Sequence, residues 1–409
     1  MTHDISSPLK LPCGVTVKNR IAKAPMTEGL ADPMNRATDR HVRLYRKWAE
    51  GGAAILITGN VQVDRRYLER PGNVVVDRNG GLEELRAFAA AGTVNNTLLL
   101  MQISHAGRQT SVRVNPHPVA PSDIGLALPG NAFGVPRALE QEEIEDIIRR
   151  FIHVAEVAKE TGFSGVQLHA AHGYLISEFL SPLANRRTDQ WGGNLENRAR
   201  LLRRIVQGVR AAVGPAYPIS VKLNSSDFQQ GGFDLEDCLQ VVKWLEEDSV
   251  DLLEISGGNY ENPAMMIGTR GKDEIRDSTI AREAYFLEYA KSIRAATKIP
   301  LMVTGGFRSR VAMDAALQSG DVDIIGIGRP LCVDPDAPNH LLTSPAAGAV
   351  AYEQNISPSK AALGWFCLNI IRLADGKEAD PDMTGEEAIT AYLENEEKTA
   401  AAMKNVNLN

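Results

Sequence analysis

Gly165-Val-Gln-Leu-His-Ala-Ala-His-Gly-Tyr174, continued by Leu175-Ile-Ser-Glu-Phe-Leu-Ser-Pro182 and Leu183-Ala-Asn-Arg-Arg-Thr-Asp-Gln-Trp-Gly-Gly-Asn-Leu-Glu-Asn-Arg198, is the stretch around which this chain is organised. It opens as a short apolar strand, sets His169 and His172 where that strand should end, and follows them with Tyr174. A polar, Gly-rich segment leads to Asn194, where a helix with apolar positions at Leu195, Leu202, Ile205, Val206 and Val209 begins. Strand, long loop and helix in that order describe one unit of a parallel α/β protein, in which ligands gather at the strand ends.

Working outward, the same alternation recurs eight times. Strands are expected near Arg20–Met26, Ala53–Gly59, Thr97–Ser104, Gly165–His169, Ile219–Asn224, Asp251–Ser256, Leu301–Gly305 and Asp323–Gly328. Helices are expected to begin near Thr38, Gly80, Leu139, Asn194, Asp234, Ser278, Ser309 and Ala337. Eight such pairs predict a closed (β/α)8 TIM barrel over residues 1–344. Long excursions should follow strand three, over 108–137, and strand six, over 257–277 with Asn259, Tyr260 and Met265. Loops of that length are more often functional than spacers. Residues 345–409, with Trp365, Phe366, Ile370 and Ile371, should form a helical tail packed on the barrel.

Composition excludes several classes. Charged residues at 23% and a net charge of −7, without a basic block, argue against nucleic acid as a partner. Cys13, Cys238, Cys332 and Cys367 stand far apart, as free thiols do in a reducing compartment, and form no zinc or iron–sulfur pattern. The first residues lack the basic and apolar runs of a signal peptide, and no apolar run approaches membrane-spanning length. The expectation is a cytoplasmic, soluble protein.

Each strand end offers candidate chemistry. Strand one ends in Pro25, Met26 and Thr27, and strand two in Gly59, where a planar ring has room to approach the backbone. Gln102, in Gln-Ile-Ser-His-Ala-Gly-Arg108, carries both donor and acceptor, matching the edge of a flavin pyrimidine or, equally, its neighbours' backbone. Lys222 points a cation at the barrel mouth, to face an electron-rich ring or to act as a Schiff-base nucleophile. His169 and His172 have the spacing of a metal pair but no third ligand nearby, so no metal is expected. Gly305-Gly306-Phe307-Arg308 and Gly328-Arg329 end strands seven and eight, where barrels commonly hold phosphate.

The Gly165–Arg198 stretch resembles the signature segment of the old yellow enzyme family, the FMN-dependent ene-reductases. The likeness extends to Gln102–Arg108 and Gly326–Arg329. The resemblance implies a single-domain (β/α)8 barrel holding FMN non-covalently, with NAD(P)H as reductant and an activated alkene as small-molecule substrate. It places Pro25, Met26, Thr27, Gly59, Gln102, Lys222, Gly305, Gly306, Gly328 and Arg329 around FMN. It gives His169 and His172 the substrate's activating oxygen and makes Tyr174 the proton donor; Tyr260 is expected against the substrate. Relatives commonly carry Arg where this chain has Lys222. The resemblance also favours a homo-oligomer. Two alternatives stay open, a flavin-dependent amine demethylase or dehydrogenase on the same barrel and a ligand-binding barrel without turnover.

Overall fold

Period-two alternation in the short apolar runs has a direct structural consequence: one set of side chains faces the inside of a closed sheet and the other faces the surrounding helices. In the computed structural model, which describes residues 3–126, 128, 130–258, 260–261 and 288–407, eight parallel strands close that sheet and a ninth, short strand, Val61–Gln62, pairs beside Leu98–Ser104. The eight are β1 (Ile21–Lys23), β2 (Ile55–Ile57), β3 (Leu98–Ser104), β4 (Gly165–Ala170), β5 (Ile219–Asn224), β6 (Leu252–Ser256), β7 (Leu301–Thr304) and β8 (Ile324–Ile327). Each strand pairs with the next, and β8 pairs with β1, so the barrel closes.

Two apolar clusters follow from the alternation. The inner one holds Ala22, Ala24, Ile55, Ile57, Leu100, Leu252, Met302 and Ile324. The N-terminal hairpin, Leu9–Lys10 paired with Thr16–Val17, adds Leu11 and Val17 to it. The outer cluster packs the strands' other faces against the helices. Gly326 is required by this packing, since a Cβ there would lie 2.0 Å from Oγ1 of Thr304.

The main helices between strands are α1 (Asp39–Glu50), α2 (Leu82–Gly92), α3 (Gln141–Glu160), α4 (Leu195–Val213), α5 (Leu235–Glu247), α6 (288–296), α7 (Arg310–Gln318) and α8 (Ala337–Thr343), and a six-residue helix, Leu175–Leu180, precedes α4. Asn194, Asp234 and Ser309 cap α4, α5 and α7 by accepting backbone N–H bonds, which is why those starts were readable. The expected start near Ser278, with Asn259 and Met265, lies outside the described residues.

The excursion after β3 includes a short parallel pairing of Val119–Ala120 with Arg137–Ala138. The tail forms α9 (Ala362–Ala374) and α10 (Gly385–Asn407). A buried ion pair fastens it to the barrel: Nη2 of Arg70 lies 2.5 Å from Oε1 of Glu396 on α10. The Arg70 guanidinium also lies over the Tyr392 ring, 5.1 Å from its centroid.

Candidate active site

The polar side chains of the barrel interior form one connected layer above the apolar plug. Gln102 on β3 donates from Nε2 to Oε1 of Gln167 on β4 at 2.8 Å, and Gln167 donates from Nε2 to Oε2 of Glu254 on β6 at 2.9 Å. Glu254, fully buried, accepts from Oγ1 of Thr304 on β7 at 2.8 Å and lies 3.0 Å from Nζ of Lys222 on β5. Four strands thereby fix the Lys222 ammonium. Pairing with the Glu254 carboxylate sets Lys222 apart from the unpaired, desolvated lysine of a Schiff-base enzyme.

Above this layer the three aromatic candidates of the Gly165–Arg198 stretch come together as expected. His169 is the last residue but one of β4. His172 takes a positive φ of 63°, which turns the chain back so that both imidazoles face the same space, with ring centroids 5.2 Å apart. Tyr174 lies 4.7 Å from the His169 ring. Nδ1 of His169 accepts the Ala171 N–H at 3.3 Å, so the proton of the neutral ring is on Nε2, a donor. His172 is held by its backbone N–H to Oδ1 of Asn224 and by Nε2, 2.6 Å from Oγ of Ser256.

Electrostatics keeps these groups uncharged. Burial, followed by His172 and Lys222, holds His169 well below the ordinary imidazole range; burial and Lys222 do the same to His172. Burial, then Tyr260 and Glu69, pushes the Tyr174 phenol well above its usual value. Its hydroxyl lies 2.9 Å from that of Tyr260 and also bonds Asn60.

Around the rim, Thr27 bonds Glu69, a carboxyl that burial pushes up. Met26 accepts from Sγ of Cys332 at 3.3 Å and stands 3.7 Å from where a Gly328 Cβ would be. The structure gives a steric reason for glycine at position 59. The space beside it is taken by Glu28, whose Oε1 accepts the Gly59 N–H, and by the Met26 carbonyl.

Gly305 and Gly306 adopt φ of +130° and +78°, and a Cβ on Gly305 would meet nothing within 4 Å, so the loop backbone borders open space. Two guanidiniums converge beside it. Nη2 of Arg308 lies 2.6 Å, and Nη1 of Arg329 3.7 Å, from the same Oε1 of Glu353. Nε of Arg308 and Oε2 of Glu353 are buried without a partner. Two cations gathered on one carboxylate oxygen beside a glycine turn define a seat for an anion.

The residues therefore fit a phosphate-bearing flavin: an anion seat at β7 and β8, donors at Gln102 and Lys222, and an uncharged donor pair across the mouth. Sequence reasoning missed Gln167, Glu254, Asn224, Ser256, Glu69 and Glu353. Gln167 lies two residues before His169 and Glu254 two before Ser256, so the strand period alone places both inside the barrel. Glu353 carried no such signal. Among the described residues no group of three or more His, Cys, Asp or Glu side chains could hold a metal, and no helix is long and apolar enough to cross a membrane.

A closed parallel barrel with a polar, donor-lined mouth is the architecture of a barrel enzyme. Residues 4–344 match the NADH:flavin oxidoreductase / NADH oxidase family, and the chain belongs to it. It is 37% identical over 356 residues to the NADH-dependent flavin oxidoreductase iliE of Hypocrea jecorina, covering 82% of this chain and 88% of that one. It is 36% identical over 359 residues to the protein of the same name in a Neonectria species, covering 83% of this chain and 47% of that longer protein. The old yellow enzyme homologue of Zymomonas mobilis superposes with a TM-score of 0.71 at 27% identity, over 86% of this chain and 96% of that one. The family's cofactor is FMN, with NAD(P)H as its reductant.

Proposed function

We propose that this protein is an ene-reductase, which takes hydride from NAD(P)H onto FMN and passes it to the β-carbon of an electron-poor C=C bond, as in an α,β-unsaturated carbonyl. Residues 1–344 serve as the flavin-binding barrel and 345–409 as the helical tail. The scattered free cysteines favour a cytoplasmic setting, and the resemblance favours a homo-oligomer.

FMN supplies the two-electron chemistry when bound; the chain's residues supply orientation, charge and a proton. Gly305, Gly306, Arg308 and Arg329 would hold the phosphate, and Glu353 would give up its place between the guanidiniums. Pro25, Met26, Thr27, Gly59, Gly328, Gln102 and Lys222 would surround the ring, with Lys222 supplying positive charge to its pyrimidine edge.

The observation that carries the reading is the donor state of His169. An imidazole kept neutral by burial, with its proton on Nε2, donates a hydrogen bond to a carbonyl oxygen without itself being an acid. With His172 it stabilises the negative charge that grows on that oxygen as the β-carbon is reduced. Tyr174, facing the same space with its hydroxyl ordered by Tyr260 and Asn60, delivers the proton to the α-carbon. Tyr260 borders the substrate and holds that hydroxyl in place.

Anaerobic mixing tests the reading. NAD(P)H should bleach the flavin band, and 2-cyclohexenone should restore it. A protein whose bleached flavin reacts with dioxygen but not with the enone would not be an ene-reductase.

A further inference from the structure

The connections after β2 and β3 carry a second concentration of charge, set back from the barrel mouth. Arg65 and Arg66 follow β2, Arg113 to Asn115 lie on the excursion after β3, and Ala400, Met403 and Lys404 belong to the last turns of α10. Together they enclose a cavity of about 310 Å³, the size of a small-molecule site. Its floor is apolar: buried Met403 packs on Leu68 and Val75, with Val114 against them. Asn115 is fixed in the wall by its Nδ2, which donates to the Arg66 carbonyl at 3.1 Å.

The rim carries a positive excess. Arg65 and Arg66 each hold one carboxylate, Asp77 and Asp64 respectively, and Asp64 also lies 3.8 Å from Arg150. Among the described residues Arg113 and Lys404 pair with no carboxylate. Four cations therefore face two carboxylates in one cleft of a chain whose net charge is −7. Uncompensated cations around an apolar floor are suited to a ligand that joins a phosphate to a flat ring.

The cleft and the barrel mouth share one segment. Arg66 precedes Glu69, which bonds Thr27 in the mouth, by three residues, at most about 11 Å between Cα atoms. A single extended ligand can reach both.

We propose that this cleft binds the adenosine-phosphate end of a ligand whose reactive end enters the barrel mouth. Adenosine lies on the Met403–Val114 floor and a phosphomonoester meets Arg113 and Lys404. Two ligands share that chemistry: a nicotinamide dinucleotide phosphate, with its phosphate on the 2′ oxygen, and a coenzyme A thioester, with its phosphate on the 3′ oxygen. The second end of the ligand rests on the proposed function; the cleft itself does not.

Calorimetric titration of the full-length holoprotein with adenosine 2′,5′-bisphosphate and adenosine 3′,5′-bisphosphate tests this without any redox step. The variants are Arg113→Ala/Lys404→Ala and, as a control outside the cleft, the exposed Lys243→Ala on α5, with flavin content and melting temperature reporting that each is folded. We expect binding that weakens with added salt, falls about tenfold or more in the double variant and is unchanged in the control. Preference for the 2′ isomer assigns the nicotinamide ligand, and preference for the 3′ isomer assigns the coenzyme A ligand. No binding of either compound by the wild-type protein, or equal binding by the double variant, overturns the proposal. Binding at the cleft in a protein whose flavin no nicotinamide nucleotide bleaches would refute the proposed function and leave the cleft standing.

Discussion

Nζ of Lys222 lies 3.0 Å from Oε1 of Glu254, a carboxylate fully buried inside the barrel and held on its other side by Gln167 and Thr304. The cation assigned to the flavin's pyrimidine edge is therefore shared with a fixed anion. Its field at the ring is smaller than that of a lone cation, and its position is set by the four strands that carry Gln102, Gln167, Glu254 and Thr304.

Replacing Glu254 with Gln keeps one acceptor oxygen, for the Thr304 hydroxyl and the Lys222 ammonium, gives up the acceptor of Gln167 and removes the charge. The Lys222 ammonium then acts on the ring undivided, and the flavin potential should rise by tens of millivolts, about 30 mV for each 1.4 kcal/mol of added stabilisation of the two-electron reduced state. Redox titration against reference dyes reads the shift. An unchanged or lowered potential would separate Lys222 from the ring.

Tyr174→Phe removes a proton donor and nothing that touches the nicotinamide's hydride. Stopped-flow measurement should show reoxidation by enone slowed about 10²- to 10⁴-fold, with flavin reduction by NAD(P)H altered only a few-fold. Equal loss in both half-reactions would give Tyr174 a binding role in place of proton delivery.

His169→Ala removes the Nε2 donor, and enone reduction should slow by about 10²- to 10³-fold. The remaining His172 is anchored to Ser256 and Asn224 and cannot supply both bonds. Loss of less than about threefold in the oxidative half-reaction would remove His169 from the activating pair.

Three buried histidines, His41, His105 and His169, and the half-buried His172 make the fold sensitive to acid. Burial holds His41 and His105 down to about 4, and His169 and His172 well below the usual range. The unfolded chain binds protons near pH 6.5 that the folded chain refuses, so the stabilisation is complete above that pH and is lost as pH falls. Each histidine removes about 1.4 kcal/mol per pH unit between its unfolded and folded values. Chemical denaturation at pH 7.5, 5.5 and 4.5 should show this steep decline. His41→Gln keeps the bond to the Thr38 N–H and should flatten the slope; an unaltered slope would place the protons elsewhere.

Most of the barrel was legible because its strands are buried on both faces and its helices begin at capping residues. Ile219–Asn224 was located to the residue, while β1 and β2 are shorter than expected, the flanking residues leaving the ladder on both sides. The candidate site was legible where a polar residue stands at a strand end, as His169, Lys222 and Gln102 do. It was illegible where partners come from distant segments: Glu254 looks like an interruption in an apolar run, and Glu353 reaches Arg308 and Arg329 from the tail. At position 59 the sequence likewise did not announce Glu28, which fills the place of a Cβ there through a fold the local sequence does not specify.

The most direct test of the central claim is a single anaerobic cuvette in which the purified protein receives NADPH or NADH and then 2-cyclohexenone, with the flavin absorption followed throughout. The account predicts a yellow protein that bleaches with the nucleotide and recovers its colour on adding the enone, with one flavin reoxidised per enone reduced. A flavin that stays bleached in the presence of the enone, or a protein that binds no FMN, would contradict it.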